Sequence, residues 1–225
     1  MASGPGGDGE SGHHAAPGVA MGAAEWDRRY AGSDLIWGAG ANRWVAQHTD
    51  ALVPGRAVDL ACGEGRNAVH LAERGWQVTA VDFSAVAIAK ARRLEAARRE
   101  SDAGRYPPVR WVCADVRSYR PDPVDLVLLI YLHLPAPQRR TVLAAAVAAL
   151  APGASVLVVG HNTRNIAEGT GGPQDPGLLY TATDIVKDLA GIAPELVVDA
   201  ADEPLREVPG ADRPAIDTVV RAHRR

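Results

Sequence analysis

Cysteine is nearly missing from these 225 residues: Cys62 and Cys113 are the only two, each at the end of a segment that reads as a strand. Two thiols build no disulfide framework and supply too few ligands for a structural zinc site, so both are read as reduced and no metal is expected. A basic excess is lacking too. The formal charge of -3 leaves no electrostatic footprint for nucleic acid. No stretch approaches the roughly 20 consecutive apolar residues that span a bilayer, and the N-terminus has no charged-then-apolar signal pattern. These absences point to a cytoplasmic protein without a membrane or nucleic-acid partner. Internal repeats are absent as well.

What is present is apolar mass in a regular order. The chain is 47% hydrophobic, enough to bury a substantial core in one domain. Residues 1–22 are small, polar and glycine-rich, with no apolar period to offset the entropy of ordering, so a disordered tail is expected there. It contains His13 and His14, and Met21 near its end offers a second start for translation besides Met1. Residues 23–225 are expected to form a single domain, opening with two short helical patterns over 23–52 that act as a helical lid segment.

From Arg56 onward, strand and helix patterns alternate. The segments "RAVDLA", "QVTAVDF", "VRWVCAD", "VDLVLLIYL" and "ASVLVVG" read as strands, the fourth apolar enough to be buried on both faces. Between them run helical patterns: Asn67 to Arg74 before Gly75, a long one capped by Ser84, and one carrying Val142, Leu143, Ala146 and Val147. Thr181 and Asp184 form a capping pair for a helix through Leu189, with Gly191 behind it. "ELVVDAA" and "AIDTVVRA" close the chain as an antiparallel pair. The expected fold is α/β: a doubly wound, seven-stranded, mostly parallel sheet with an antiparallel C-terminal strand and an N-terminal helical cover. Ligands of such sheets lie outside the carboxyl ends of the strands, so residues 59–66, 82–84, 115–116, 130–134 and 160–165 are the ones to read for chemistry.

Gly63 to Ala68 fits the G-x-G-x-x-A pattern of dinucleotide sites. A pyrophosphate would seek the helix N-terminus, where Asp59 and Glu64 would oppose it at a cost on the order of several kcal/mol. A ligand with cationic groups and no phosphate reverses that balance, as S-adenosylmethionine (SAM) does with its sulfonium and ammonium. Asp82, ending the second strand, is placed to accept from a ribose diol. Asp115, ending the third, is placed to accept from an adenine amino group while the Val116 N–H donates to the ring. Taken singly, each aspartate reads as an ordinary strand-end turn residue; as a set around a glycine loop they point to a cofactor.

"VDLACGEGRNAVHLAERGWQVTAVDFS" resembles the SAM-binding motifs of class I methyltransferases, and "CADV" and "VDLVLLIYLHLP" resemble their later motifs. The similarity spans about residues 25–222. "WDRRYAGSDLIWG" with "CGEGRNAVHLAERGW" is most similar to the small bacterial enzymes grouped with tellurite-resistance and thiopurine methyltransferases. The resemblance implies a Rossmann-like SAM-dependent methyltransferase. In it Asp59, Gly63 and Gly65 hold the methionine part, Asp82 the ribose and Asp115 the adenine, with Phe83, Val116 and Ile130 completing the cofactor site. It also implies that the segment carrying Trp26, Tyr30 and Trp37 folds over SAM and the acceptor.

The acceptor side is read by exclusion. The turn "IYLHLP" lacks the Asn-Pro-Pro-Tyr type motif that grips planar amines. The arginines between Arg92 and Arg99 share their helix with Glu95 and Glu100, as on a solvated face. A small-molecule acceptor is therefore expected, with a thiol, a chalcogen or an aromatic heterocycle favoured. Methyl transfer from a sulfonium needs alignment and exclusion of water, so the absence of a catalytic triad counts little. Should a proton have to leave, His133 and His161 are the candidate bases. Tyr131 and Arg164 are candidate substrate contacts, and the polar connection 161–180 is a candidate substrate loop. A SAM-binding sensor without turnover and a NAD-dependent oxidoreductase are the competing functions.

Overall fold

The computed structural model describes residues 20–32, 35–101 and 105–225. Most of the expected tail, with His13 and His14, lies outside the described residues. Two helices precede the sheet, α1 (Ala23–Ala31) and α2 (Arg43–Thr49). Five strands then run parallel: β1 (Arg56–Leu60), β2 (Gln77–Asp82), β3 (Arg110–Cys113), β4 (Val124–Ile130) and β5 (Leu150–His161). The closing strands β6 (Leu196–Asp202) and β7 (Leu205–Arg206) each pair antiparallel with β8 (Ala215–Arg224), which itself lies antiparallel to β5. The sheet order is β3-β2-β1-β4-β5-β8-β6, with β7 pairing off that path. This is the doubly wound, mostly parallel arrangement read from the sequence, with eight strands in place of seven. The additional one, β7, has two residues, too few to leave a period.

Helices α3 (Arg66–Glu73), α4 (Ala85–Ser101) and α5 (Ala136–Ala148) follow β1, β2 and β4. No helix joins β3 to β4: the stretch 114–123 carries Pro121 and Pro123 and passes through turns instead. After β5 come the short α6 (Asn165–Glu168), a single 3-10 turn and α7 (Ala182–Ile192). The last runs through Gly191, past its expected end at Leu189. Its start is as read, since Thr181 Oγ1 accepts from the Asp184 N–H and the Asp184 carboxylate accepts from the Thr181 N–H. Ser84 likewise caps α4, its Oγ accepting from the Ala87 N–H at 3.0 Å.

Successive residues of the central strands face opposite layers. Val58, Leu60, Val127 and Leu129 pack with Val142 and Leu143 of α5 and with Ile185 and Leu189 of α7. Ala57, Leu126 and Leu128 pack with Val45 of α2, Leu71 of α3 and Ile88 of α4. Covering both faces is what makes β4 an almost unbroken apolar run. The strand order turns back between β1 and β4, so their carboxyl ends open the crevice where ligands of such sheets bind. Among the described residues no helix is long and apolar enough to cross a membrane.

Candidate functional site

The turn after β1 is built from left-handed backbone: Ala61 at φ 62°, Gly63 at 54° and Gly65 at 81°. At Gly65 glycine is required twice over, because a Cβ there would lie 2.4 Å from the Trp111 ring and 2.7 Å from Ala91 Cβ. Asp82, at the end of β2, accepts from the Gly63 and Ser84 N–H groups at 2.8 Å each and so pins the loop. Burial raises its pKa, while those two amides hold it down. Asp59 has no such support. Its side chain is 1% exposed and neither oxygen makes a hydrogen bond. Burial first, then the charge of Asp82, pushes its pKa up to about 7, against a weaker pull from Arg66 and from the Ala68 N–H, which falls short of hydrogen-bonding geometry. A buried carboxylate without partners is costly unless a cation or donor arrives.

Glu64 behaves differently from its neighbour in the sequence. Its Oε2 accepts from the Ile36 and Trp37 N–H groups at 2.9 and 3.3 Å, and its Oε1 lies 3.2 Å from Lys90 Nζ. The expectation that Glu64 adds charge to the ligand space is corrected here, because burial makes this acid find partners and it finds them in Lys90 and the cover segment. The cover is also tied through Asp27, whose Oδ1 accepts from Ser84 Oγ at 2.5 Å, and through the Tyr30 carbonyl, which accepts from Lys90. Tyr30 is buried with its hydroxyl against Gly63, where a Cβ would lie 2.9 Å from it. Trp26 stacks on Tyr30 at 5.4 Å, and the Arg29 guanidinium lies over both Trp26 and Trp37. Of the three aromatic residues expected in the cover, Tyr30 reaches the loop, while Trp37 stays 42% exposed.

On the far side of the loop, Val116 and Ile130 are buried at the sheet edge, and the Phe83 carbonyl accepts from the Cys113 thiol at 3.7 Å. Asp115 is engaged by its neighbour Arg117, which donates through Nε at 2.9 Å and Nη2 at 2.5 Å. That guanidinium holds the Asp115 carboxyl below the usual range. Adenine would share this acid with Arg117.

The turn after β4 brings Tyr131, His133 and His161 together. Tyr131 has φ 55°, with its N–H donating to the Val159 carbonyl at 2.7 Å. Its ring lies 4.9 Å from that of His161, which stacks on His133 at 5.5 Å. His133 Nε2 accepts from the His161 N–H at 3.1 Å. Burial, and then His161, drive the His133 pKa down to about 3. With that lone pair committed and so little proton affinity, His133 is not placed to act as a base, contrary to expectation. His161 is also lowered by burial, with Asp217 opposing the shift and Arg206 adding to it. Arg164 is exposed and faces Glu168 at 2.5 Å and Glu203 at 3.9 Å, away from this cluster. The guanidinium expected to contact a substrate is paired here with these two acids. The 161–180 connection is braced by the buried Asn165, whose Nδ2 donates to the Thr170 and Gly171 carbonyls and whose Oδ1 accepts from the Ile216 N–H.

Asp217 was not singled out from the sequence. It is fully buried on β8, and its Oδ2 accepts from Trp44 Nε1, Tyr131 Oη and Arg206 Nε at 2.7 to 2.8 Å. An acid in the middle of the apolar run "AIDTVV" was the available signal. A groove of about 440 Å³ lined by Trp44, His48, Asp202 and Glu203 involves no residue of the glycine loop, and Trp44 joins its wall to Asp217.

The chain is similar to known proteins in sequence and in fold. Residues 57–153 match the family model described as a methyltransferase domain. Over 111 residues the chain is 32% identical to tRNA 5-carboxymethoxyuridine methyltransferase of Escherichia coli (strain K12), covering 49% of this chain and 42% of that protein. The chain thus spans less than half the length of this curated relative. Among solved structures, the N-methyltransferase NodS from Bradyrhizobium japonicum WM9, in complex with S-adenosyl-l-homocysteine (SAH), superposes with a TM-score of 0.68 at 16% identity, over 90% of this chain and 97% of that one. TehB from Haemophilus influenzae superposes with a TM-score of 0.65 at 14% identity, over 84% of this chain and 64% of that one. Residues 57–153 are thus similar to a methyltransferase domain, and the chain shares the doubly wound, Rossmann-like fold of the solved N-methyltransferase NodS.

Proposed function

We propose that this chain is a SAM-dependent methyltransferase acting on a small molecule, with a thiol, chalcogen or aromatic heterocycle as the favoured acceptor. The observation that carries the reading is Asp59, a buried carboxylate without a hydrogen bond at the start of a left-handed glycine turn. The ammonium of the SAM amino-acid end matches it in charge and donors. Gly63 and Gly65 lend close backbone approach, Asp82 offers acceptor capacity to a ribose diol, and Asp115 to an adenine amino group. Phe83, Val116 and Ile130 line the ring. When bound, SAM supplies an electrophilic methyl group on a sulfonium. The chain's own part is to hold the reactants in line and exclude water, with Tyr30 and α1 on one side and Tyr131 and His161 on the other.

The likeness to TehB supports the tellurite and thiopurine subgroup at the level of fold. The curated relative bears the name of a tRNA enzyme, but its match spans half of this chain, and the net charge of -3 favours a small acceptor. With Glu64 paired to Lys90, the case against a dinucleotide rests on Asp59 and Asp82. Calorimetric titration with SAH, with NAD as control, tests the reading. Binding of SAH alone is expected; binding of NAD alone would overturn it. Radiolabelled methyl transfer from SAM to thiophenol and to 6-mercaptopurine, with bulk tRNA in parallel, then separates an enzyme from a sensor and a small acceptor from RNA.

A further inference from the structure

Asp217 collects donors from three separate elements. Trp44 of α2, Tyr131 beyond β4 and Arg206 of β7 all bond to its Oδ2. Oδ1 is left with a long contact of 3.4 Å to Arg206 Nη2, and it faces His161 Nδ1 at 3.5 Å. That nitrogen is buried and makes no hydrogen bond. An N–H on that nitrogen would find its acceptor in Oδ1, whereas a lone pair there would face a carboxylate oxygen with no proton between them. The surroundings hold the imidazole in place. Tyr131 packs on one side, in a left-handed backbone conformation that non-glycine residues seldom adopt. His133 stacks nearby through the His161 N–H. Gly172 closes over the ring, where a Cβ would lie 2.4 Å from Cδ2 and 2.9 Å from Nε2.

We propose that Asp217 is a positioning residue: Oδ1 fixes the Nδ1–H tautomer of His161, leaving the Nε2 lone pair to take a proton from the hydroxyl, thiol or amine of the acceptor. The role rests on the methyltransferase reading of the site. In the step, the acceptor's X–H bond breaks with its electron pair kept on X, which becomes the nucleophile. The proton forms the Nε2–H bond of an imidazolium and later passes to solvent. Asp217 on β8 stabilises that imidazolium and Arg206 on β7 opposes it. Tyr131 and His133, from the turn after β4, face it as neutral groups, since burial raises the one pKa and lowers the other.

The test is nitrogen-15 NMR of histidine-labelled full-length protein, with and without SAH, for the wild type, Asp217→Asn and His161→Gln. The last assigns the His161 signals. The wild type is expected to show the Nδ1–H tautomer at pH 8. Asp217→Asn is expected to shift His161 toward the Nε2–H tautomer and to lower its pKa by at least about half a unit. SAH affinity should stay within about threefold. A wild-type Nε2–H tautomer overturns the proposal by itself, even if Asp217→Asn fails to fold. So does a His161 that Asp217→Asn leaves unchanged. Failure of the wild type to bind SAH would instead sink the methyltransferase reading, and the tautomer would still be read in the ligand-free protein.

Discussion

Asp59 sits at the carboxyl end of β1 with a pKa raised to about 7 by burial and by Asp82. An arriving ammonium favours its ionised form, so binding releases a proton when pH is near or below that value. Below about pH 7 each further unit costs up to about 1.4 kcal/mol, or tenfold in affinity, because the carboxyl must first be deprotonated. SAH affinity is therefore expected to be highest near pH 8, where both the carboxylate and the ligand's ammonium are charged, and to fall toward pH 5.5. Titration calorimetry in two buffers of different ionisation enthalpy would detect the released proton. An affinity independent of pH would remove Asp59 from the ammonium site. Glu64, five residues after it in "DLACGEG", makes a different point. Two acids of similar appearance serve different ends because one meets Lys90 and two backbone amides, and the other has only the Ala68 N–H nearby, outside hydrogen-bonding geometry.

The N-terminal cover is held to the sheet mainly by side chains outside it. Glu64 accepts from Ile36 and Trp37, Lys90 donates to the Tyr30 carbonyl, and Ser84 donates to Asp27. Removing the acid of the buried pair takes away the carboxylate that Lys90, 12% exposed, meets at 3.2 Å. Glu64→Ala is thus expected to destabilise the protein by about 3 kcal/mol in urea unfolding. It should also make the segment between α1 and α2 the first site of limited proteolysis, while the 56–161 core stays protected. First cleavage elsewhere would mean that other contacts hold the cover. The same element bears on ligand exchange, because Tyr30 lies against Gly63 and must shift or share that space when a ligand approaches the loop.

Asp59 also affects the whole molecule. Its folded pKa lies above its ordinary value of 3.8. Between the two, the unfolded chain binds fewer protons than the folded one, so stability is full below about pH 4 and is lost as pH rises to 7. Asp82, raised for the same first reason, contributes in the same direction. Asp59→Asn should consequently raise the melting temperature of the ligand-free protein at pH 8, by up to about 4 kcal/mol in stability as an upper bound, and much less at pH 5. It should also abolish the stabilisation that SAH gives the wild type. Scanning calorimetry of both proteins at the two pH values checks this; a difference between variant and wild type that is the same at both would show that Asp59 carries no unfavourable charge.

Much of this was legible without coordinates. The apolar run of β4, the glycines at 63 and 65, the Ser84 cap and the Thr181–Asp184 pair are local signals, set by periodicity and by which residues satisfy helix ends. The acids at the strand ends follow from the same order of elements, and so does the edge of the sheet where chemistry belongs. Tertiary structure alone decided what each side chain meets there. Trp44 and Asp217 are 173 residues apart in the chain, and no local pattern records that β8 inserts beside β5 and carries its acid under Tyr131 and His161. His133 lost its role as a base for that kind of reason, since the amide that occupies its lone pair comes from another strand. Sequence determined the elements and their ends through short-range sterics and burial. Only packing across the sheet determined partners, because a buried charge is balanced by whatever the fold brings within reach.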